Sequence, residues 1–334
     1  MTTRATVLGA GAWGTTFAMI LADAGCDVRL WARESEVADT LNRDHANERY
    51  LPGVSLPTSI VATADYREAL TGATIVVVAI PSQVARKALQ AMADAVEPNA
   101  VIVALMKGVE LGTLKLMTEV VAESLGVSDD RIAVISGPNL AREIAVRQPS
   151  ATVVASTSDR TANIVAEACT TAYFRPYTNG DIIGVELCGA VKNVIAVAVG
   201  MARGLGYGWN TTATLITRGS AEVMRLGLAL GARMETFAGL AGMGDMVATC
   251  ASPLSRNHTL GFKMGEGMTL DAALAATGGT AEGVKSSESV QSLAEKIGVE
   301  MPITNGVVAV LHGRLPIQEL GPSLLGRPRK SETE

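Results

Sequence analysis

The first half of the chain alternates short apolar runs with stretches whose apolar residues recur at helical spacing. The apolar runs predict strands covered on both faces, because a parallel sheet buries both of its faces. The stretches between them, such as residues 83–95 and 113–125, predict the covering helices. This alternation is typical of βαβ units, so we predict an α/β, doubly wound, mostly parallel sheet. The predicted strands lie at residues 5–8, 28–31, 75–79, 101–104, 132–135 and 152–155.

The pattern changes after Gly184, where long Ala-, Leu-, Gly- and Met-rich stretches with helical spacing continue to Leu320. These stretches predict an all-helical C-terminal domain. The longest apolar run, at 194–202, predicts a core helix segment, and no run approaches the roughly 20 residues of a membrane span. The length of 334 residues fits two domains of ordinary size. We therefore divide the chain into an α/β domain at 1–183, a helical domain at 184–325 and a polar, frayed tail at 326–334.

Composition narrows the class of partner. The formal net charge is −5 and the basic residues are scattered, so we expect neither nucleic acid nor an anionic membrane as a partner. The cysteines are far apart and form no CxxC pair, which indicates reduced thiols and a cytoplasmic protein; they are Cys26, Cys169, Cys188 and Cys250. The histidines lack metal-ligand spacing, so we predict no metal site; they are His45, His258 and His312.

A glycine-rich motif, GAGAWG at positions 9–14, follows the first predicted strand and opens a helix predicted over 15–24. Such glycines permit a tight turn and close backbone approach, while the helix N-terminus presents free N–H groups to a pyrophosphate. Glycine-rich turns are common, so the motif alone is weak evidence. Its position between a strand and a helix favours dinucleotide binding at Gly9, Gly11 and Gly14.

The end of the second predicted strand carries Arg33 where many dinucleotide sites place an acidic residue. A guanidinium binds a 2′-phosphate through charge-assisted hydrogen bonds, which slightly favours NADP over NAD. Glu34 follows at once and weakens that preference. A solvated arginine at the end of a strand is an equal interpretation.

Two further segments follow predicted strands and so lie at the carboxyl edge of the sheet, where open α/β folds bind ligands. Lys107 follows the strand at 101–104; it either meets a phosphate or a polarised oxygen, or is a solvated loop lysine. Gly137 and Asn139, in the segment SGPN, follow the strand at 132–135 and form either an ordinary turn or a substrate cradle.

Lys192 lies in an apolar helical stretch, where it either extends to the surface or is partly desolvated with a lowered pKa. The second state suits a general acid for carbonyl reduction. Downstream, Asp245 ends a glycine-rich turn, and Arg256 stands between Ser255 and Asn257. Taken singly, such residues are usually capping or surface groups, whereas together a carboxylate holds an ammonium and a guanidinium binds a phosphate.

In order and phrasing, these motifs resemble the bacterial NAD(P)-dependent glycerol-3-phosphate dehydrogenases. The likeness runs through nearly the whole chain, in GAGAWGT, WAR, RYLPGV, KGVE, SGPNLAREI, GAVKNVIAVAVGMARGLGYGWNTTATLITRG, GLAGMGDMVATC and SRNHTLG. The resemblance implies a Rossmann-type N-terminal domain for NADP or NAD, a helical substrate domain and a homodimer. It also implies reduction of dihydroxyacetone phosphate to sn-glycerol 3-phosphate, feeding glycerophospholipid synthesis.

The resemblance assigns roles to individual residues. Lys192 is the implied acid/base, with Lys107 and Asp245 in the same site. The implied substrate phosphate pocket comprises Ser255, Arg256 and Asn257, joined by Gly137 and Asn139. The implied cofactor contacts, besides the three glycines, are Ala12, Trp13, Arg33, Lys107, Ala141, Arg256, Thr280 and Glu282. The chain departs from the usual residues of the family at Ala12, Met106, Asn139 and Thr280.

Two other functions fit parts of the pattern. One is a related dehydrogenase with the same two domains that acts on another hydroxy acid. The other is a non-catalytic dinucleotide-binding redox sensor. A sensor has no need of Lys192 together with Asp245 and Arg256, so their joint presence favours an enzyme.

Overall fold

The computed structural model describes residues 2–278, 282–329 and 331, and these form one eight-stranded sheet with a helical domain beside it. The strands are β1 Arg4–Leu8, β2 Asp27–Trp31, β3 Val61–Thr63, β4 Ile75–Val78, β5 Val101–Ala104, β6 Ile132–Ser136, β7 Ser150–Ala155 and β8 Phe174–Asn179. Their order across the sheet is β3-β2-β1-β4-β5-β6-β7-β8, and every pair is parallel except β6 with β7. The predicted fold class is therefore confirmed.

The sequence pattern found the six inner strands and missed the two edge strands. β3 has only three residues, and β8 has the mixed sequence FRPYTN, with exposed positions and a proline. An edge strand is not enclosed by neighbours on both sides, so it lacks the continuous apolar run of a central strand.

Helices cover both faces of the sheet. They are α1 Ala12–Asp23, α2 Ser35–Asp44, α3 Tyr66–Leu70, α4 Ser82–Met92, α5 Met117–Leu125, α6 Ala141–Ala145 and α7 Asp159–Ala168. The helix predicted over 113–125 begins only at Met117, because the residues before it fold back in a short turn that pairs Val109 with Leu116.

The C-terminal domain is helical throughout its described residues. Its helices are α8 Ile182–Gly204, α9 Trp209–Ala229, α10 Met234–Ala238, α11 Asp245–Ala251, α12 Arg256–Gly265, α13 Leu270–Ala276, α14 Glu282–Ile297, α15 Pro302–Leu311 and α16 Leu320–Leu325. A π-helical turn, Leu240–Gly244, leads into α11, and the 3₁₀ turn Ile317–Glu319 leads into α16. α8 is central, and α9, α11, α12 and α14 all pack on it.

Helix α8 contains the apolar run at 194–202 that the sequence predicts to be a core helix segment. It has 23 residues, and an 18-residue window within it has a mean hydropathy of 1.9, so it is long and apolar enough to cross a membrane. The helix is nonetheless buried within the domain, and its side chains form the centre of the apolar core. A buried core helix of this length explains the hydropathy.

Helices α8 and α12 cross in backbone contact. A Cβ atom on Gly261 would lie 2.1 Å from the carbonyl oxygen of Val197, and one on Gly200 would lie 2.1 Å from that of His258. Only glycine permits so close an approach. This crossing fixes α12, and with it the segment Ser255–Arg256–Asn257 at its start, against the helix that carries Lys192.

Candidate active site

The glycine motif forms a cradle at the carboxyl end of β1. Gly9 has φ +122°, and a Cβ atom on Gly14 would lie 2.0 Å from the carbonyl oxygen of Gly9. Gly11 is the N-cap of α1, and apart from its two neighbours in the sequence no described residue has an atom within 4 Å of where its Cβ would stand. The turn therefore leaves open space before a helix N-terminus, an arrangement that fits a pyrophosphate.

Three residues named for the cofactor surround this cradle. Trp13 packs edge-on against Phe17, with ring centroids 5.7 Å apart, and its buried Nε1 has no hydrogen-bond partner among the described residues. Ala12 begins α1 and is partly buried beside it. The carbonyl oxygen of Ala141 accepts a hydrogen bond from Thr16 Oγ1 at 3.3 Å, which holds the start of α6 against α1. A buried N–H donor without an acceptor in the described chain is available to a ligand atom or a water molecule.

Arg33, Thr280 and Glu282 are three further residues that are predicted to contact the cofactor. The Arg33 side chain is 82% exposed, and its Nη2 donates to Glu34 Oε1 at 3.1 Å. It stands at the end of β2, as the NADP interpretation requires, but an exposed pair of this kind also fits the surface interpretation. Thr280 lies outside the described residues, as does the side chain of Glu282.

The structure brings Lys107, Lys192 and Asp245 together. Lys107 follows β5, Lys192 lies on α8, and Asp245 is the first residue of α11. Lys107 Nζ donates to Asp245 Oδ2 at 2.8 Å, and Lys192 Nζ donates to Asp245 Oδ1. Asp245 and Lys192 are buried, and Lys107 is nearly so. Two ammonium groups from two domains therefore share one buried carboxylate.

Thr249, which the sequence did not single out, completes this cluster. It lies one turn after Asp245 on α11, accepts a hydrogen bond from Lys192 Nζ at 2.7 Å and donates to Asp245 Oδ1 at 3.1 Å. The available signal was its spacing, because residues four apart share a helix face. Thr249 thus helps to fix the direction in which the Lys192 ammonium points.

The charges of the cluster set its proton affinities. Burial lowers the pKa of Lys192 to about 8; the Asp245 carboxylate opposes this effect and the Lys107 ammonium adds to it. Burial acts to raise the pKa of Asp245, but Lys107 and Lys192 together outweigh it and hold that pKa below its usual value. Asp245 is therefore a stable anion, while Lys192 exchanges its proton near neutral pH.

A glycine on α8 lies beside Lys107 and Ser136. Gly189 lies one turn before Lys192, and a Cβ atom there would lie 3.4 Å from Lys107 Cγ and 2.9 Å from Ser136 Oγ. The Ser136 hydroxyl is buried and has no hydrogen-bond partner among the described residues. Glycine at position 189 thus leaves room beside α8 for the Ser136 side chain at the end of β6.

Two of the residues predicted for the substrate phosphate already make hydrogen bonds within the protein. Ser255 Oγ caps α12 by accepting from His258 N at 3.3 Å, and Asn257 Oδ1 accepts from Gly283 N at 3.0 Å. Arg256, in the first turn of α12, is exposed. Their role in phosphate binding remains a prediction.

The SGPN segment offers one open acceptor. Gly137 has φ +151°, a conformation that favours glycine, and is buried against Thr152. Asn139 Nδ2 donates to Thr152 Oγ1 at 3.0 Å, while its buried Oδ1 has no partner among the described residues. An unpaired buried acceptor beside a strand end is compatible with a substrate hydroxyl.

Comparison with known proteins places this geometry in context. Two family models match the chain, the N-terminus of NAD-dependent glycerol-3-phosphate dehydrogenase at residues 4–162 and its C-terminus at residues 181–321. A glycerol-3-phosphate dehydrogenase of Streptomyces griseus, described as NAD(P)+-linked, is 56% identical over 98% of this chain and 98% of its own length. A relative with the same description from Thermobifida fusca is 54% identical over 99% of this chain and 98% of its own.

Solved structures agree with the sequence matches. The crystal structure of the Coxiella burnetii glycerol-3-phosphate dehydrogenase has a TM-score of 0.93 and 40% identity, covering 98% of this chain and 99% of that one. A D-mandelate dehydrogenase with NADH has a TM-score of 0.63 at 14% identity, covering 96% of this chain and 99% of that one. The second likeness concerns the fold alone.

Proposed function

Because the chain belongs to the NAD-dependent glycerol-3-phosphate dehydrogenase family, we propose that it reduces dihydroxyacetone phosphate reversibly to sn-glycerol 3-phosphate with Lys192 as the proton donor. The observation that carries this assignment is the buried cluster in which Lys192 and Lys107 share Asp245. A lysine with its pKa near 8 both holds and releases a proton near neutral pH, as a general acid for a ketone must.

NADPH or NADH, when bound, supplies the hydride to the ketone carbon. Gly9, Gly11 and Gly14 would hold its pyrophosphate, with Ala12, Trp13 and Ala141 beside them. Arg33 gives a slight preference for NADP, and Thr280, Glu282, Lys107 and Arg256 are the further contacts implied by the family.

Lys192 Nζ gives its proton to the carbonyl oxygen as that oxygen gains negative charge, which leaves a neutral amine and the alcohol product. In the reverse direction the neutral amine removes the hydroxyl proton. Lys107 adds positive charge beside the developing oxyanion, and Asp245 and Thr249 hold the Lys192 ammonium in one direction. We assign the substrate phosphate to Arg256, aided by Ser255, Asn257, Gly137 and Asn139, so that binding energy away from the reaction positions the carbonyl.

The test is substrate-dependent loss of nicotinamide absorbance with NADPH and NADH in parallel, on wild type and on Lys192→Met. The substitution removes the transferable proton, so we expect turnover to fall by about 10³-fold or more. Lys87→Met, which alters an exposed lysine on α4, serves as the matched control and is expected to retain wild-type turnover. Turnover of Lys192→Met within about tenfold of wild type would refute the assignment.

The pH profile of wild type tests the same residue. Reduction needs protonated Lys192, so its kcat should fall as the pH rises through about 8. Oxidation needs the neutral amine, so its kcat should rise through the same range.

The cellular role and the domain division follow from the family and the sequence pattern. The four free, buried cysteines are compatible with the cytoplasmic location that we propose. There the product would feed glycerophospholipid synthesis. We retain the division into domains at 1–183 and 184–325 and a tail at 326–334. Helix α8 begins at Ile182, two residues before the boundary between the domains.

We propose that the chain forms a homodimer through the outer face of α9. An open groove of about 1350 Å³ lies there, lined by residues of α9, α15, α16 and the segment after α16. The apolar side chains of Leu228 and Leu325 are exposed beside it. The face also carries both signs of charge, because Arg327 pairs with Glu300 at 3.0 Å.

A second copy is the occupant that these features favour. A two-fold axis brings the same patch of each protomer together, so a face with a groove, a protruding apolar side chain and both charges complements itself. The 85% exposure of Leu325 fits a side chain that is covered by a partner's groove.

A further inference from the structure

A buried carboxylate crosses the boundary between the two domains. Glu186 lies in the second turn of α8, and its carboxylate accepts hydrogen bonds from Thr118 N at 3.0 Å and from Thr118 Oγ1. Thr118 belongs to the first turn of α5, which packs on the sheet of the other domain. The first N–H groups of a helix have no partner within it, so Glu186 supplies one that α5 otherwise lacks.

The start of α5 is tied to Lys107 through a short turn. Leu116, the residue before α5, forms an antiparallel bridge with Val109, and Glu110 N donates to Lys115 O at 2.9 Å. The side chains of Val109 and Leu116 are buried in the core of the helical domain. Val109 stands two residues after Lys107, so a force that holds α5 also holds that lysine.

One face of α8 makes the matching contacts. Glu186, Gly189 and Lys192 recur every three residues and so lie on neighbouring parts of the same side of the helix. Glu186 binds α5, Gly189 lies against Lys107, and Lys192 meets Lys107 through the shared Asp245. This face of α8 is therefore the junction between the domains at which Lys107 is positioned relative to Lys192.

We infer that Glu186 is a positioning residue that sets the separation of Lys107 from Lys192 by holding the N-terminus of α5 on α8. The inference rests on the proposed function of Lys192. Without the carboxylate, Thr118 N loses its acceptor, the turn at 109–116 is free to move, and Lys107 withdraws from the cluster. Because Lys107 and burial both lower the pKa of Lys192, withdrawal should raise that pKa.

Glu222 provides a matched control. It is also a buried glutamate that binds the start of a helix, accepting from Ile303 N at 2.6 Å and from Thr304 N at 3.2 Å. Its partners lie on α15, within its own domain. Glu222→Ala should therefore lower the free energy of unfolding, as Glu186→Ala should, but without changing the contacts between the two domains.

The experiment measures reduction kcat against pH, the Kd of NADPH and Tm for wild type, Glu186→Ala, Glu186→Gln and Glu222→Ala. For Glu186→Ala we expect kcat to fall by about tenfold or more. The basic limb, which is the fall of kcat at high pH, should move to higher pH by about half a pH unit or more. The Kd of NADPH should change less than kcat, because Lys107 is the one implied cofactor contact that is displaced and the glycine cradle stays in place. Glu186→Gln keeps an acceptor for Thr118 N, so its kcat and the pH of its basic limb should match those of wild type. Glu222→Ala should lower Tm and leave the pH of the basic limb unchanged.

Two results would overturn the inference. One is a Glu186→Ala enzyme whose Tm falls as in Glu222→Ala while its kcat and basic limb stay at the wild-type values. The other is a Glu186→Gln enzyme as impaired as Glu186→Ala, which would exclude the hydrogen bond as the cause. If Glu186→Ala does not fold, Glu186→Asp, one methylene too short to keep both contacts, replaces it. Retained turnover in Lys192→Met would instead refute the proposed function, so the two failures are distinguishable.

Discussion

Two glycines of one motif serve separate purposes that single substitutions can distinguish. Gly14→Ala would place a Cβ atom 2.0 Å from the Gly9 carbonyl oxygen, so we expect loss of folded-state stability, measured as a lower Tm without cofactor. The Cβ atom of Gly11→Ala has no contact within 4 Å to described residues other than its sequence neighbours, so its Tm should stay near that of wild type. Its Cβ would intrude on the space before α1, and we expect NADPH binding to weaken by about tenfold or more, measured by fluorescence titration. Equal NADPH affinity in Gly11→Ala and wild type would show that the cofactor does not approach this turn.

At the scale of elements, the α8–α12 crossing couples stability to substrate binding. Gly261→Ala would force α12 away from the Val197 carbonyl oxygen, at a cost of about 1–3 kcal/mol in the free energy of unfolding. Because α12 begins with Arg256, the KM for dihydroxyacetone phosphate should rise by several fold. The Kd of NADPH should rise less, because the glycine cradle lies on the other domain; steady-state kinetics and titration measure the two effects. Gly208→Ala, at an open position before α9, is the control and should match wild type. A fall in stability with an unchanged KM would mean that α12 does not position the phosphate.

At the scale of the whole molecule, the groove on α9 sets the expected assembly. Leu325→Glu introduces a charge on the most exposed apolar side chain of that face, and burying it in a dimer would be costly. We expect the Kd of the dimer to rise by about tenfold or more, measured by sedimentation over a dilution series. Val146→Glu alters another exposed apolar residue, on the other domain, and should leave assembly unchanged. A wild-type chain that is monomeric at all concentrations would refute the dimer, and a Leu325→Glu dimer of wild-type affinity would place the interface elsewhere.

The sequence by itself determined the inner six strands, the change to helices after Gly184 and the glycine cradle. Each of these depends on local periodicity or on a short motif whose backbone needs are fixed by neighbouring residues. It also named Lys107, Lys192 and Asp245 as candidates, because charged groups in apolar or glycine-rich surroundings are conspicuous.

Only the tertiary structure decided what those candidates contact. Lys107 and Asp245 are 138 positions apart, and their pairing depends on how the two domains pack. Long-range packing also brings Thr249 to Lys192 and Glu186 to the start of α5. It places the edge strands β3 and β8 in the sheet. Burial and the distances between charges set the pKa of Lys192, and both arise from contacts between segments remote in the chain. Local sequence specifies which groups are available, whereas long-range packing specifies which of them meet.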